Sequence, residues 1–220
     1  MNKIYELEAL RGIASIYVLL HHTVFHFNII EKKSLLGFFF CFGDVAVMAF
    51  FLLSGFVISM SLNKNTYDFK EYFLHRFIRI YSIVFIAWIL SFLSYYLVNG
   101  MPKFEFLNII GNILMLQDLS GQKIGIVTTP IFNNSPLWSL SYEWWFYMFF
   151  FWHFYLYTKN YKDKLVLFQI SGMLISFFGL IFYTLSHNAI AIFMSYYFIW
   201  FSGALIFLHY LHSSLYTKAI

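Results

Sequence analysis

No charged residue lies between Asp44 and Lys64, and none lies between Arg79 and Lys103. Each run is as long as the about 20 apolar residues that carry a helix across a bilayer core of about 30 Å. A soluble fold cannot hide several such segments. Composition points the same way: 61% of the 220 residues are hydrophobic, 24% are aromatic and only 11% are charged, against about 25% charged in soluble domains. The expected fold is an all-α, polytopic transmembrane helix bundle of about six or seven spans, one membrane-embedded domain over residues 1–220. The formal charge of +4 suits cytoplasmic loops rich in Lys and Arg and contact with membrane lipids, rather than nucleic acid. Cys41 is alone, which excludes a disulfide framework and a cysteine metal site. Glu6 and Glu8 precede the first apolar run without a small-residue cleavage pattern, so a retained first helix is expected rather than a removed signal peptide.

In order, spans are expected over Glu8–Ile30, Val45–Leu62, Ile80–Val98, Leu137–Thr158, Leu165–Ser186 and Ala189–Leu211. Between the second and third, the charged stretch from Tyr67 to Arg79 has the spacing of an amphipathic surface helix. Residues 106–117 are apolar for only about twelve residues, too few for a span, which suggests a re-entrant or tilted element. The polar stretch from Leu119 to Pro136 is a long loop, and long loops tend to be functional. Orientation follows from Lys and Arg. If residues 106–117 cross, the count is seven inside and seven outside; if they do not, it is ten inside and four outside. The second arrangement obeys the positive-inside rule and puts the basic loop Lys159–Lys164 in the cytoplasm.

Ionisable residues within such spans are costly and mark candidate sites. On the first helix Arg11 and His22 are eleven residues apart. That is three turns plus about 20°, so they share a face about 16 Å apart along the axis and suggest a polar seam. Arg11 as an interfacial anchor and His22 as a buried structural histidine is the plainer alternative. Arg76 and Arg79, three apart near the start of the third span, are a candidate clamp for the phosphates of a nucleotide-like ligand, or lipid anchors. Glu143 heads an aromatic span and is either interfacial or paired within the bundle. His22 and His26 stand at i, i+4, a usable metal pair, but no carboxylate or thiol joins them on that face, and no metal is expected. Ser54 and Gly55 put two small residues mid-span, where another backbone can approach closely.

Four motifs in order resemble the acyltransferase-3 membrane acyltransferases. LEALRGIASIYVLLHH resembles the family's first helix, with Arg-Gly-x-Ala and a His eleven residues after the Arg. FFLLSGFVIS matches FFxLSGFxI, RFIRIY matches Arg-x-x-Arg-(Ile/Leu)-Tyr, and PLWSLSYEWWFY matches PLWSLSxE-x-x-FY. The resemblance implies an enzyme that moves an acyl group, acetyl being the expected one, from acyl-CoA to a hydroxyl of an extracytoplasmic saccharide or cell-surface polysaccharide. It implies a location in the cell membrane and no bound cofactor beyond the acyl-CoA substrate. Carried over by position, Arg11 and His22 are paired catalytic residues, Glu143 is a third, and Arg76 and Arg79 bind the donor.

Three positions depart from that pattern. Met48 stands where the family has an acid, Ser82 where it has Pro, and Trp144 where it has a second acid. Family members also have about ten spans, so the chain is expected to be C-terminally short. The departures leave two rivals. One is an inactive truncated relative with a structural or partner role. The other is a small-solute transporter using the Arg11–His22 seam, for which no paired inverted half or Gly/Pro-broken helix pair is visible.

Overall fold

The computed structural model describes the backbone of residues 5–64, 68–160 and 165–216, and the side chains of these except at 159–160 and 212–216. Tyr67 and residues 161–164, which include most of the basic Lys159–Lys164 loop, lie outside the described residues. The helices are α1 (Tyr5–His26), α2 (Leu35–Phe40), α3 (Gly43–Lys64), α4 (Phe69–Asn99), α5 (Phe106–Ile113), α6 (Trp138–Asn160), α7 (Leu165–Ser186) and α8 (Ala189–Tyr216). Two single 3₁₀ turns, Ile131–Asn133 and Ser135–Leu137, lead into α6. Among the described residues, four helical stretches are long and apolar enough to cross a membrane: Leu35–Lys64, Phe69–Asn99, Leu165–Ser186 and Ala189–Leu211. The chain is an all-α helical membrane bundle.

Local chemistry explains where the helices begin and end. Glu6 and Glu8 lie in the first turn of α1, where the macrodipole favours acids. The helix stops at His26, four residues before the expected Ile30. Asn28 adopts φ 51°, and the Ile29 N–H reaches back to the Val24 carbonyl at 2.9 Å. That is the six-to-one bond of a helix closed by a left-handed residue, a role Asn tolerates. The short α2 was not expected; the Ser34 side chain caps it by accepting from the Gly37 N–H at 3.0 Å.

The charged stretch and the third span are one helix rather than two. Asp68 caps α4 by accepting from the Glu71 N–H at 2.7 Å, with Glu71 at the third position as in a capping box. No Gly or Pro interrupts the sequence from Phe69 to Asn99, so nothing breaks the helix where its polar character ends. The short element at 106–117 is the eight-residue α5, about 12 Å long and far short of a bilayer core. The chain then doubles back. Asn108 Nδ2 donates to Thr128 Oγ1 at 2.9 Å, and Asn112 Nδ2 donates to the Thr129 carbonyl at 2.9 Å. The Asp118 N–H bonds the Thr128 carbonyl at 2.9 Å. These bonds satisfy loop backbone that would otherwise be orphaned in an apolar setting. α7 and α8 meet at His187, with φ 48°, and Asn188 caps α8 through the Ala191 N–H at 2.9 Å.

The chain divides into two compact units, residues 1–61 with 199–220, and residues 62–198. In the first unit α3 crosses the later part of α8 through glycines. A Cβ at Gly55 would overlap the Trp200 carbonyl, and one at Gly203 would overlap the Leu52 carbonyl. This is the small-residue contact that Ser54-Gly55 suggested, and it lets the two backbones touch in a setting where lipid supplies no hydrophobic drive. The second unit has an aromatic core on α6, in which Phe146, Tyr147 and Phe150 are fully buried.

Candidate functional site

Each unit holds part of the expected residue set. In the first, α1 runs unbroken through Arg11 and His22, which preserves their three-turn spacing. Arg11 is 7% exposed. Its nearest charge is Glu8, one turn earlier, at 3.6 Å, and its guanidinium carbon lies 5.0 Å from the centre of the Phe50 ring. Neither Nε nor Nη1 makes a hydrogen bond. His22 is half-buried, edge-on to His21 with ring centres 5.2 Å apart, and Asp44 is the carboxylate whose charge reaches it. His21 is occupied differently. Its Nδ1 lies 2.6 Å from the Phe40 carbonyl, which can only accept, so Nδ1 carries the proton. The two adjacent histidines are therefore distinct: His21 ties α1 to the end of α2, and His22 has no such bond.

In the second unit α4 and α6 bring Arg76 and Glu143 into one neighbourhood through Tyr147. The Arg76 guanidinium stacks over two tyrosine rings, 5.5 Å from the centre of Tyr72 and 5.6 Å from that of Tyr147. Tyr147 donates its hydroxyl to Glu143 Oε1, one turn back on α6, and Tyr72 donates to the Tyr147 carbonyl at 3.1 Å. Glu143 is 5% exposed and Arg76 is 8% exposed, and the Arg76 Nε has no hydrogen-bond partner. Arg79 differs from its expected partner. It is exposed, one turn further along α4, so the two arginines are not an equivalent pair.

Sequence reasoning passed over a second cluster in this unit. Lys123 Nζ lies 2.7 Å from Asp118 Oδ1 and over the rings of Trp138, Tyr142 and Tyr196, at 3.7, 4.6 and 4.9 Å from their centres. Tyr142 donates to Asp118 Oδ2 at 2.5 Å. The signal was present: from Phe106 to Thr158, the only charged residues are Asp118, Lys123 and Glu143. Asp118 is five residues from Lys123 and Glu143 is twenty away, so Asp118 is the nearest source of compensation in sequence for that base. His153 on α6 is held at both nitrogens, by Tyr197 Oη at 3.0 Å and Ser171 Oγ at 2.8 Å, which suits a structural histidine.

Apolar membrane-length helices, buried arginines and a buried glutamate at the head of an aromatic helix define a membrane protein that keeps ionisable groups in its interior. A family model described as an acyltransferase domain, Acyl_transf_3, matches residues 4–218, and the chain belongs to this acyltransferase-3 family. No curated protein and no solved structure matches it.

Proposed function

We propose that the chain is an O-acyltransferase of the cell membrane, moving an acyl group from acyl-CoA to a hydroxyl of an extracytoplasmic saccharide or cell-surface polysaccharide. The observation that carries this reading is the state of Arg76. A guanidinium buried against tyrosine rings, with its Nε unfilled, is an incomplete site for an anion. The phosphates of an acyl-CoA supply the charge and the acceptor atoms that the protein withholds. Arg79, exposed on the same helix, adds long-range attraction for the donor. Glu143 fixes the Tyr147 ring beneath Arg76. Arg11, whose Nε and Nη1 make no hydrogen bond, orients or stabilises a polar group of the reacting species.

His22 is the base in this reading. Its imidazole takes the proton of the acceptor hydroxyl as that oxygen attacks the thioester carbonyl carbon. The new C–O bond forms, the C–S bond breaks, and the proton passes from the imidazolium to the departing thiolate. Loss of a general base typically slows such a step by about 10²–10⁴-fold. His22→Gln, which keeps size and hydrogen bonding but takes no proton, is expected to lose transfer on that scale. His21→Gln, at a position tied to the Phe40 carbonyl, is expected to keep much more. Release of free CoA thiol by membranes containing each variant, in the presence of acceptor, measures both. Parent-like release by His22→Gln would make His22 a structural histidine.

A further inference from the structure

The chain between α4 and α6 begins and ends on one side of the second unit. The two helices pack antiparallel. The Phe69 ring centre lies 5.3 Å from that of Phe151 and 5.0 Å from that of Trp152, whereas Tyr81, further along α4, lies 5.1 Å from Trp144, earlier on α6. A connection that crossed the membrane once would make the helices parallel. The connecting chain instead descends and returns. Phe104, before α5, and Phe132, after the loop, both meet Phe92 of α4, at 6.4 and 5.5 Å, and lie 6.1 Å from each other. The far end of α5 sits lower, where the Tyr81 hydroxyl donates to the Ile113 carbonyl at 2.7 Å. Phe92 and Tyr81 are eleven residues apart, about 16 Å along the axis of α4. Residues 104–132 are thus a hairpin with its mouth at Phe92 and its deep end at Tyr81, beside the uncharged part of α4.

α5 is amphipathic in the opposite sense to a helix on a wet surface. Phe106, Leu107, Ile110, Ile113 and Leu114 are exposed, and at about 100° per residue they fall within about 120° of one another. Asn108, Gly111 and Asn112 fall on the other side, and that polar side is the covered one. Asn108 and Asn112 reach Thr128 and Thr129, and the Ile131 N–H donates to Asn112 Oδ1 at 3.0 Å. Thr128 sits so close that a Cβ at Gly111 would lie 2.6 Å from its Cγ2. The last four carbonyls of a helix have no partner within it, yet here all four accept from the protein. Ile110 accepts from Leu114, Gly111 from Leu116, Asn112 from Met115, and Ile113 from Tyr81. Trp145 Nε1 then donates to the Met115 carbonyl at 3.0 Å. Backbone satisfied without water is what hydrocarbon demands of a segment that is not one continuous helix. Charge follows the same rule. Lys103 and Glu105 stand exposed at the mouth, no charged residue follows through Gln117, and Asp118 and Lys123 compensate each other.

We propose that residues 104–132 form a re-entrant hairpin within the bilayer, and that the apolar face of α5 is an interaction surface for lipid acyl chains. The occupant follows from the level at which the face lies. Ile83, Ile86 and Leu90 of α4, between Tyr81 and Phe92, are exposed as well, and on a helix of membrane length such residues face hydrocarbon. The surface does not depend on the reading of the acyl-transfer residues.

The test uses the full chain in phosphatidylcholine nanodiscs, with Cys41→Ser removing the native thiol and a spin label on one new cysteine at a time. Leu107→Cys and Leu114→Cys report on the apolar face, and Lys103→Cys reports on the mouth. Oxygen concentrates in hydrocarbon and a neutral nickel chelate stays in water. Both face labels are expected to be relaxed by oxygen and shielded from the chelate, with the label at 114 deeper than that at 107. The label at 103 is expected to be relaxed by the chelate. Ile113→Cys takes the place of Leu114→Cys where that variant does not fold. In membrane vesicles of uniform orientation, a membrane-impermeant thiol reagent added outside is expected to treat Lys103→Cys and Ser135→Cys alike, modifying both or neither, and to modify both once the vesicles are permeabilised. Face labels relaxed by the chelate would mean that water covers α5 and would overturn the lipid surface. Face labels shielded from both relaxants would mean that a second copy or another protein segment covers it, and would overturn it equally. Modification of only one of the two cysteines from outside would overturn the hairpin.

Discussion

Lys123 and Arg76 are both buried cations set against aromatic side chains of α6, and they are finished in opposite ways. Lys123 has a carboxylate at 2.7 Å and three rings around its ammonium. Arg76 has two rings and an Nε with no hydrogen bond. The protein closes one charge from its own atoms and leaves the other open. Burying a charge without a partner costs several kcal/mol, a cost that on the proposed reading the phosphates of the donor offset. On that reading the contrast separates charge that builds the fold from charge kept available for a ligand.

Four variants sharpen or break that contrast. The largest effect on stability is expected at Lys123. Lys123→Met strands Asp118 as a buried, unpaired carboxylate and should cost about 3–5 kcal/mol, read as a lower melting temperature of the purified protein in detergent. Adding Asp118→Asn to it should recover part of that loss, because the stranded charge is gone; a double variant no better than the single would mean that packing, not charge, holds the cluster. Arg76→Ala comes next. Acyl-CoA affinity is expected to fall by about 1.5–3 kcal/mol, the scale of charge-assisted hydrogen bonds, with little change in melting temperature. A stability loss matching that of Lys123→Met, with acyl-CoA binding intact, would erase the distinction. The smallest effect is expected at Arg79. It is exposed, and Arg79→Ala should weaken donor binding by under about 1 kcal/mol, most visibly at low salt.

Much of the fold was legible because membrane spans are written in composition. The seventh helix runs over Leu165–Ser186, the limits read from the sequence, because one apolar run there ends at the polar pair His187-Asn188. The errors lie where composition is silent. One helix carries both the charged stretch and the third span, since a change of solvent alters which residues are favourable without altering backbone hydrogen bonding. The first helix ends early because Asn28 takes a left-handed conformation, a local choice no hydropathy run records. The loop after α5 was invisible in detail: its shape depends on Asn108 and Asn112 reaching Thr128 and Thr129, contacts set by tertiary approach. At the candidate site, Glu143 was legible as a charge within a span and Arg76 as one of two arginines on the helical stretch leading into the third span. That Arg76 is buried and Arg79 exposed depends on which side of α4 meets the Tyr147 ring, and helical spacing alone does not distinguish the two.

α4 has 31 residues, about 46 Å at 1.5 Å per residue, against a hydrocarbon core of about 30 Å. Its charged residues, Lys70, Glu71, Arg76 and Arg79, all fall in the first third, and none follows to Asn99. Residues 80–99 alone run about 30 Å, the length of that core, so the surplus turns are the charged ones at the beginning of the helix. Arg76 stands on those turns. On the proposed reading, a donor with several phosphates can lodge its charge there at the level of the lipid headgroups. Only its short, uncharged thioester end then has to be partitioned into the low-dielectric interior, and the large work of dehydrating the nucleotide portion is never incurred.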